Sequence, residues 1–319
     1  MTLETLPRPP LALADRVGAI SGLDDPWARY DRIGADTRAG IVAALGPDWS
    51  FPGKRVLDFG CGAGRTLRWF LGEAEHADVW GCDIDEASVA WLEQNLSPPL
   101  HVFVNGAEPP LPQPSGSFDL IWVISVFTHL TSSWSRWLLE MHRVLADDGL
   151  LFVTFMGRGM SEMFAHESWD ESRVGMLVLR EGQSWDRGGP MVLHSPWWIR
   201  SHWGRAFDIV RIDEEDAIGP GGQGAVLMRK RPGTFSVADL EALDPSEPRE
   251  AIALQHNLDA ALEEIRTLRA GGAGQPGPAG DLEARLRRAE GTIESLTNST
   301  SWRMTAPLRS LRGAARRPR

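Results

Sequence analysis

The sequence contains only two cysteines and has no long hydrophobic run. Cys61 and Cys82 are too few for a disulfide-stabilised scaffold, which points to a reducing compartment such as the cytoplasm. The longest apolar stretches, residues 120–127 and 150–156, have the length of a β-strand and fall far short of the roughly 20 residues that cross a membrane. The first residues, MTLETLPRPPLALAD, lack the apolar run of a secretory signal. We therefore expect a soluble, cytoplasmic protein.

Positive charge is scarce except at the carboxyl end. The formal net charge is −10, but residues 298–319 contain six arginines and no acidic residue, so the preceding 297 residues carry −16. An acidic body is a poor surface for the phosphates of nucleic acid, and nucleic acid is therefore not an expected partner. The hydrophobic content of 42% is typical of a globular protein. The sequence thus predicts an acidic globular body with a short basic tail.

Short apolar runs alternate with helical patterns in the first half of the chain. The runs that indicate strands are residues 54–60, 79–83, 100–104, 118–124 and 149–155. Strands separated by single helices form right-handed βαβ units, which build parallel sheets. Residues 207–213 and 222–230 indicate a closing strand pair. The sequence therefore predicts an α/β fold in which helices cover both faces of a sheet.

The chain divides into five predicted parts. They are a helical lead-in (1–37), a globular domain (38–232), a linker (233–250), two short heptad helices (251–297) and a basic tail (298–319). The heptad helices are indicated by apolar residues spaced three and four apart, namely Ala251, Leu254, Leu258, Ala261, Ile265 and Leu268, then Leu282, Leu286, Ala289, Ile293 and Leu296. A Gly/Pro-rich segment, 271–280, separates the two helices. Such short helices either join copies of the chain in a homo-oligomer or pack on the globular body.

A glycine-rich turn between a strand and a helix is the sharpest local signal. It reads VLDFGCGAGR, with glycines at Gly60, Gly62 and Gly64. A dinucleotide-binding turn would need glycine where Arg65 stands. Glycines let the backbone pass close to a ligand, and the start of a helix offers N–H groups to a carboxylate. The alternative is an ordinary tight turn that uses glycine for its geometry alone.

Polar residues at the ends of two other predicted strands complete the pattern. Asp83 ends the second strand, and Ser125, Thr128 and His129 follow the fourth. An acid at the end of the second strand can accept hydrogen bonds from the hydroxyls of a ribose. Ligands of open parallel sheets bind outside the carboxyl ends of the strands, so these residues and the glycine turn predict a single site.

Residues 54–155 resemble a class I S-adenosylmethionine-dependent methyltransferase. VLDFGCGAGR matches the first motif of that family, GCDID the second, FDLIWVISVFTHL the fourth, and MHRVLADDGLLFVTF the helix and strand that follow. FDIVRID and GQGAVLMRK fit the family's reversed last strand. The resemblance implies a Rossmann-like, seven-stranded sheet with helices on both faces, S-adenosyl-L-methionine as the cofactor, and no metal. The helical or coiled-coil extension would follow this domain.

The resemblance also implies roles at the matching positions. Asp58, Gly60, Cys61, Gly62 and Gly64 would hold the methionine end of the cofactor, Asp83 the ribose, Ile84, Gly106 and Ala107 the adenine, and Ser125 and Phe127 would line the wall beside the transferred methyl group. Many relatives carry an acid near the adenine amine, and here Gly106 stands at that position. The backbone of Ala107 or the side chain of Glu108 would then take over the contact.

Histidines are the candidate bases. An alcohol acceptor must lose a proton, and a histidine with a pKa near neutral is the usual group that takes it. His129, at the end of the fourth strand, is the candidate catalytic residue. His166, His194 and His202 fall in the region expected to form the acceptor pocket. The alternative for each of these histidines is a surface or packing role without any part in catalysis.

The basic tail carries a second resemblance, which bears on the acceptor. Its core, STSWRMTAPLR, is similar to a segment at the ends of bacterial glycosyltransferases and methyltransferases of surface-polysaccharide assembly. This implies that the acceptor is a hydroxyl of a cell-surface glycan or of its sugar precursor. The six arginines and the apolar Trp302, Met304, Leu308 and Leu311 of residues 298–319 also suit contact with the anionic inner face of the plasma membrane, and a glycosyltransferase is the other expected partner. A solvated tail without a partner is the alternative.

Tryptophans are concentrated on the predicted acceptor side. Tryptophan faces suit sugar rings, although large tryptophans are more often buried. The side chains concerned are Trp169, Trp185, Trp197, Trp198 and Trp203. Two other functions stay open at this point, a small-molecule O- or N-methyltransferase of secondary metabolism and a non-catalytic scaffold that keeps the fold and is tethered through the coil.

Overall fold

The computed structural model describes residues 6–15, 25–165, 169–179, 190–219, 222–271 and 293–294. The strands are β1 (Arg55–Phe59), β2 (Asp78–Asp83), β3 (His101–Val104), β4 (Phe118–Val123), β5 (Leu145–Phe155), β6 (Met176–Leu179), β7 (Met191–His194), β8 (Phe207–Asp213) and β9 (Gly224–Lys230). The α-helices are α1 (Leu11–Ala14), α2 (Pro26–Leu45), α3 (Glu86–Leu96), α4 (Trp134–Val144), α5 (Arg158–Ala165), α6 (Pro196–His202), α7 (Val237–Glu241) and α8 (Arg249–Gly271).

A seven-stranded sheet organises the described residues. Its strand order is β3-β2-β1-β4-β5-β9-β8, and a separate hairpin pairs β6 with β7. Neighbours among β1 to β5 run parallel, whereas β9 is antiparallel to both β5 and β8. This order places the ends of β1 to β5 at one side of the sheet, which we call the carboxyl edge. The predicted Rossmann-like sheet of seven strands is confirmed.

Two apolar clusters cover the two faces of this sheet. Side chains alternate between the faces of a strand, so Leu57 and Val56 of β1 belong to different clusters. The cluster around Leu57 contains the apolar side of α4, and the cluster around Val56 contains buried residues of α2 and α3. Helices on both faces explain why the central strands are almost continuously apolar.

The helix expected directly after the glycine turn is shorter than the sequence predicts. Residues Leu67–Phe70 and Glu73–Glu75 form two 3₁₀ turns in place of an α-helix. Leu67 and Phe70 are both fully buried, and a 3₁₀ turn aligns residues three apart on one side, so both reach the core. Helix α2, which crosses the predicted boundary at residue 37, packs on this region. Its Tyr30 hydroxyl donates a hydrogen bond to the Ala63 carbonyl at 3.3 Å.

Residues 156–203, which we call the insert, lie between β5 and β8. The described part of the insert contains α5, the β6–β7 hairpin and α6, where the sequence showed few signals before Ser195. The Val192 N–H donates to the Thr128 carbonyl at 2.8 Å, and the His194 N–H donates to the Met156 carbonyl at 2.7 Å. These bonds hold the hairpin against the chain that leaves β4 and β5, so the insert borders the carboxyl edge.

The extension after the sheet begins with packed structure. Within the predicted linker 233–250, α7 starts at a capping box formed by Ser236 and Asp239. Helix α8 includes Gly271, the first residue of the predicted break, and its Asn257 side chain donates to the Met176 carbonyl of β6 at 2.8 Å. The second predicted heptad helix, apart from residues 293–294, and the basic tail lie outside the described residues.

Candidate active site

The glycine loop after β1 is shaped by close contacts on two sides. A Cβ atom on Gly60 would lie 2.3 Å from Cγ2 of Val126, and one on Gly64 would lie 2.6 Å from Cδ2 of Leu92. Both glycines have positive φ angles, 82° and 81°, which side chains disfavour. A Cβ on Gly62 would meet no atom within 4 Å, so the loop is open on that side. The backbone is therefore held tightly beneath an open surface that a ligand can approach.

Asp58, on β1 beneath the loop, is a buried carboxyl group with an unsatisfied oxygen. Only 1% of the residue is exposed, and its Oδ2 has no hydrogen-bond partner within the described part of the chain. Burial raises the pKa of Asp58 to about 7, and the nearby charge of Asp83 acts in the same direction. A buried carboxyl without a partner is costly, so this position suits a site where a ligand supplies a cationic donor such as an amine.

Asp83, at the end of β2, links the second strand to the glycine loop. Its Oδ2 accepts the Gly62 N–H at 2.7 Å, and its Oδ1 accepts the Asp85 N–H at 2.9 Å. Asp85 caps α3 by accepting the Ser88 N–H at 3.0 Å, as the sequence predicts, so Asp83 is not needed for capping. The two backbone N–H groups fix the Asp83 carboxylate at the end of β2, where the motif resemblance expects a ribose.

The predicted adenine side lies where β2 and β3 end. Ile84 is 40% exposed, which is unusual for isoleucine and leaves an apolar surface at the edge. The Asn105 N–H donates to the Asp83 carbonyl at 3.1 Å, and its side-chain Nδ2 donates to the Gly106 carbonyl at 2.8 Å. Asn105 is buried, and its Oδ1 has no partner among the described residues. Asn105 therefore offers the polar atom that Gly106 lacks.

The two predicted substitutes for the missing acid have other partners. The Ala107 carbonyl accepts the indole N–H of Trp137 at 3.2 Å, and the exposed Glu108 pairs with Arg136 at 3.0 Å. Sequence reasoning passed over Asn105, although a polar side chain directly after an apolar strand at the carboxyl edge is the signal that could have found it.

Ser125, just after β4, has an uncommon backbone conformation. Its φ angle is 58°, a left-handed value that is uncommon for residues other than glycine. Its N–H donates to the Thr154 hydroxyl at 2.8 Å, and its own hydroxyl oxygen accepts Nε2 of Gln223 at 2.8 Å. Thr154 and Gln223 were not among the predicted site residues, because only the pairing of β5 with β4 and β9 brings them to Ser125.

The side chains of Phe127 and Cys61 are both buried, and the role predicted for Cys61 is one for its backbone. Phe127 is fully buried and packs edge-on against Trp203, with 5.2 Å between the ring centroids. Its ring therefore supports the chain after β4 from the core, and its role beside the transferred methyl group stays a prediction. The Cys61 side chain is also buried, and burial raises the pKa of its thiol, so only its backbone is suited to a ligand contact.

His129 is oriented as a neutral base. Its Nδ1 lies 2.7 Å from the Pro190 carbonyl, which can only accept, so Nδ1 carries the hydrogen. Burial lowers the pKa of His129, and the hydrogen bond to Pro190 opposes this shift. The neutral ring that results has its lone pair on Nε2. A fixed tautomer with one basic nitrogen is what general-base catalysis requires.

The other candidate histidines and the tryptophans of the insert mostly form core. His194 is fully buried between Trp198 and Trp203, and burial lowers its pKa to about 3. His202 is bonded to Glu250 of α8 at 2.9 Å. Trp197, like Trp198 and Trp203, is buried and cannot stack on a sugar. His166 and Trp185 lie outside the described residues, and Trp169 packs partly buried against an apolar cluster of the insert.

The described residues fit S-adenosyl-L-methionine as a ligand of the carboxyl edge. The unsatisfied Asp58 oxygen suits the amino group of a methionine end, the carboxylate of Asp83 suits ribose hydroxyls, and the Asn105 oxygen suits an adenine amine. Within the described ranges, no group of three or more His, Cys, Asp and Glu side chains could hold a metal ion. No helix in the same part of the chain is long and apolar enough to cross a membrane.

Comparisons with known proteins point to the same chemistry. Residues 57–153 match a family model described as a methyltransferase domain. Over 102 residues the chain is 31% identical to phthiotriol/phenolphthiotriol dimycocerosates methyltransferase 1 of Mycobacterium ulcerans (strain Agy99). The match covers 32% of this chain and 37% of that protein, so it spans little more than a third of the relative's length.

Two solved structures match the chain at low sequence identity. The PH0226 protein from Pyrococcus horikoshii OT3 has a TM-score of 0.47 and 16% identity, over 68% of this chain and 98% of that one. A SAM-dependent methyltransferase from Methanosarcina mazei has a TM-score of 0.44 and 19% identity, over 57% of this chain and 95% of that one. Residues 57–153 therefore match a methyltransferase domain, and the residues of the carboxyl edge fit S-adenosyl-L-methionine, the cofactor that the motifs predict.

Proposed function

We propose that the chain is an S-adenosylmethionine-dependent methyltransferase that acts on a hydroxyl group of its acceptor. The observation that carries this proposal is the state of His129 beside the carboxyl edge. Its Nδ1 is bonded to the Pro190 carbonyl at 2.7 Å, and burial lowers its pKa, so Nε2 is a base at neutral pH. A base is needed for an alcohol, because the hydroxyl must lose its proton as the new bond forms.

Different residues of the chain would bind the cofactor, remove the acceptor's proton and exclude water. When bound, S-adenosyl-L-methionine supplies a methyl group on a positively charged sulfur, so alignment with a nucleophile removes much of the barrier. Asp58, Asp83 and the glycine loop would hold and orient the cofactor from the strand ends. His129 Nε2 would take the acceptor's proton, and the insert would border the reacting groups and limit the entry of water.

For the acceptor we propose a hydroxyl of a cell-surface glycan or of its sugar precursor. This proposal depends on the resemblance of the tail, since the described tryptophans of the insert are largely buried and add no support. The same resemblance, together with the arginines and apolar residues of the tail, leads us to propose a cytoplasmic enzyme whose residues 298–319 contact the membrane surface or a glycosyltransferase. Co-sedimentation with anionic vesicles, for the full chain and for residues 1–297, tests the membrane contact, and equal binding would contradict it.

A small apolar acceptor is the second candidate, and one observation favours it. The insert contains a buried cluster rich in methionine, a residue that adapts to irregular apolar ligands. Its members are Met156, Met160, Val174, Leu177, Met191 and Leu193. Met191 directly follows Pro190, the hydrogen-bond partner of His129, so an apolar acceptor would contact the insert next to the base.

A transfer assay with methyl-labelled S-adenosyl-L-methionine separates these candidates. One set of acceptors contains nucleotide sugars and lipid-linked oligosaccharides, and the other contains apolar phenols and amines. We expect labelled product from the first set, in which the label resists mild base as an ether does. Product from the second set alone would favour the apolar acceptor. Binding of S-adenosylhomocysteine without turnover on either set would favour a scaffold.

A further inference from the structure

Gln223 is a buried polar side chain that the proposed reaction does not yet use. It is 8% exposed and lies directly before β9. Its Nε2 donates to the Ser125 hydroxyl oxygen at 2.8 Å, whereas its Oε1 is buried without a hydrogen-bond partner in the described residues. Buried amide oxygens are almost always bonded, so an unsatisfied one calls for an explanation.

The topology of the sheet brings Gln223 to the carboxyl edge. Strand β9 runs antiparallel to β5, with Gly224 opposite Phe155, so the start of β9 lies where β5 ends. Gln223 precedes β9, yet it lies at the carboxyl edge together with residues that follow β1 to β5. Its backbone is fixed there, because its carbonyl accepts the Ala217 N–H at 3.1 Å.

The contacts of Ser125 fix the orientation of the carboxamide. Ser125 is held in its left-handed conformation by the Thr154 hydroxyl, which accepts its N–H at 2.8 Å. Residues in sparsely populated backbone regions cluster at functional sites, where the surrounding structure over-determines them. Ser125 after β4, Thr154 in β5 and Gln223 before β9 therefore form one polar cluster. Because Ser125 binds Nε2, the Oε1 atom is the end of the amide left for a ligand.

We propose that Gln223 recognises the acceptor at the point of methyl transfer, where its Oε1 accepts a hydrogen bond from a donor group. The inference rests on the proposed function, since it assumes that the carboxyl edge beside Ser125 is where the methyl group is transferred. A hydroxyl acceptor has a single hydrogen, which His129 would take. The donor for Gln223 is then a second group, such as the neighbouring hydroxyl of a sugar. An amine acceptor would supply both hydrogens itself.

Two cofactor analogues test this inference without knowledge of the acceptor. Sinefungin carries an amino group where the cofactor carries its methyl-bearing sulfur, so it presents hydrogen-bond donors at the transfer point. S-adenosylhomocysteine has no donor there. Calorimetric titration of the full chain with each analogue therefore compares a ligand that can use Gln223 with one that cannot.

The variants are chosen to separate hydrogen bonding from packing. Gln223→Met keeps the length of the side chain and removes the amide oxygen. We expect its Kd for sinefungin to rise at least tenfold and its Kd for S-adenosylhomocysteine to stay within twofold. Gln223→Glu keeps an acceptor oxygen and should restore sinefungin binding to within threefold of the wild-type value. Circular dichroism on each variant checks that the fold is intact.

Three outcomes would overturn the inference. Equal weakening of both analogues by Gln223→Met would assign Gln223 a structural role, and unchanged binding of both would place its oxygen away from the transfer point. Failure of Gln223→Glu to restore sinefungin binding in a folded protein would remove the hydrogen bond as the cause. Failure of the wild-type protein to bind either analogue would instead contradict the proposed function.

Discussion

The glycine-loop region and the insert both contain a buried ionisable side chain with at least one polar atom that has no hydrogen-bond partner in the described residues, yet the two have different surroundings. Asp58 lies beneath a loop that is open at Gly62 and has a pKa of about 7. His194 lies between two buried tryptophans and has a pKa of about 3. A ligand can supply the missing hydrogen bond to Asp58, which lies beneath an open edge. The His194 imidazole is enclosed by aromatic rings, where burial keeps it neutral. Access to an open surface therefore marks Asp58 as a candidate binding residue and its absence marks His194 as a core residue.

The largest expected effect is the loss of turnover when His129, which is bonded to Pro190 of the insert, is replaced. His129→Ala should lower the turnover of methyl transfer by about 10²–10⁴-fold, because a positioned base contributes that much to the rate. The Kd for S-adenosylhomocysteine should stay within twofold of wild type. His76→Ala, which alters an exposed histidine before β2, is the matched control. Unchanged turnover in His129→Ala would remove His129 from the mechanism.

Asp58→Asn should increase stability while weakening the binding of S-adenosylhomocysteine. Between pH 3.8 and about 7 the folded state keeps a proton that the unfolded state has lost, so the stability of the wild type falls as the pH rises through this window. Asparagine does not titrate, so the variant should gain up to about 4 kcal/mol at pH 8 and nothing near pH 4. Urea unfolding at both pH values measures the gain.

Binding and a control variant complete the test of Asp58. Loss of a charge-assisted hydrogen bond should raise the Kd for S-adenosylhomocysteine by at least about tenfold. Asp78→Asn changes an exposed acid at the start of β2 and should alter neither property. A stabilised Asp58→Asn that binds S-adenosylhomocysteine as the wild type does would mean that Asp58 is only a strained core residue.

A buried hydrogen bond between His202 and Glu250 joins the insert to the extension, and breaking it tests whether the two form one unit. His202 Nδ1 lies 2.7 Å from the Leu240 carbonyl and its Nε2 lies 2.9 Å from a Glu250 carboxyl oxygen, and both His202 and Glu250 are almost fully buried. Glu250→Ala should cost about 3 kcal/mol in the free energy of unfolding, because His202 stays buried and its Nε2 loses its hydrogen-bond partner.

The neighbouring residue provides the control for that variant. Arg249 lies over the Trp197 ring at 4.9 Å, near the surface, and Arg249→Ala should cost at most about 1 kcal/mol. Urea unfolding gives both values, and hydrogen exchange of residues 251–265 should rise only in Glu250→Ala. Equal, small costs for the two variants would show that α8 is not held through the hydrogen bond between His202 and Glu250.

The smallest expected effect concerns His194. The unfolded state gains a proton near pH 6.5 and the folded state only near pH 3, so stability is lost as the pH falls through this window. His194→Leu has a similar volume and no ionisable group. Relative to wild type, its gain in stability should be about 2 kcal/mol greater at pH 5 than at pH 8. A gain that does not change with pH would contradict the burial of a neutral imidazole.

Local sequence patterns predicted the glycine loop and the end of β2 better than the part of the site around Ser125. The glycine loop, Asp83 and the capping role of Asp85 lie within 30 residues of one another, and their geometry follows from one βα turn and the next strand. Asn105 carries a sequence signal, since it directly follows an apolar strand, whereas the role of Gln223 depends on strand pairing and on burial, which spacing along the chain does not reveal. The burial of the Phe127 ring could not be predicted either, because a motif fixes the place of a residue in the chain and says nothing of the direction of its side chain.

The insert shows the limit of pattern reasoning most clearly. Its tryptophans are compatible with both a sugar-binding surface and a core, and only the packing around Trp203 decides for the core. The short strands β6 and β7 gave little signal, because four residues are too few to establish alternation. Helix α7, only five residues long, was hidden in a predicted linker, although Ser236 and Asp239 carry the spacing of a capping box.

The central claim is that the carboxyl edge of the sheet binds S-adenosyl-L-methionine through Asp58, Asp83 and the glycine loop. Calorimetric titration of the full chain with S-adenosylhomocysteine tests it most directly. We predict one site per chain for the wild type and a Kd at least about tenfold higher for Asp83→Ala, which removes the carboxylate that joins β2 to Gly62. A folded wild-type protein that gives no binding heat at two temperatures would contradict the claim.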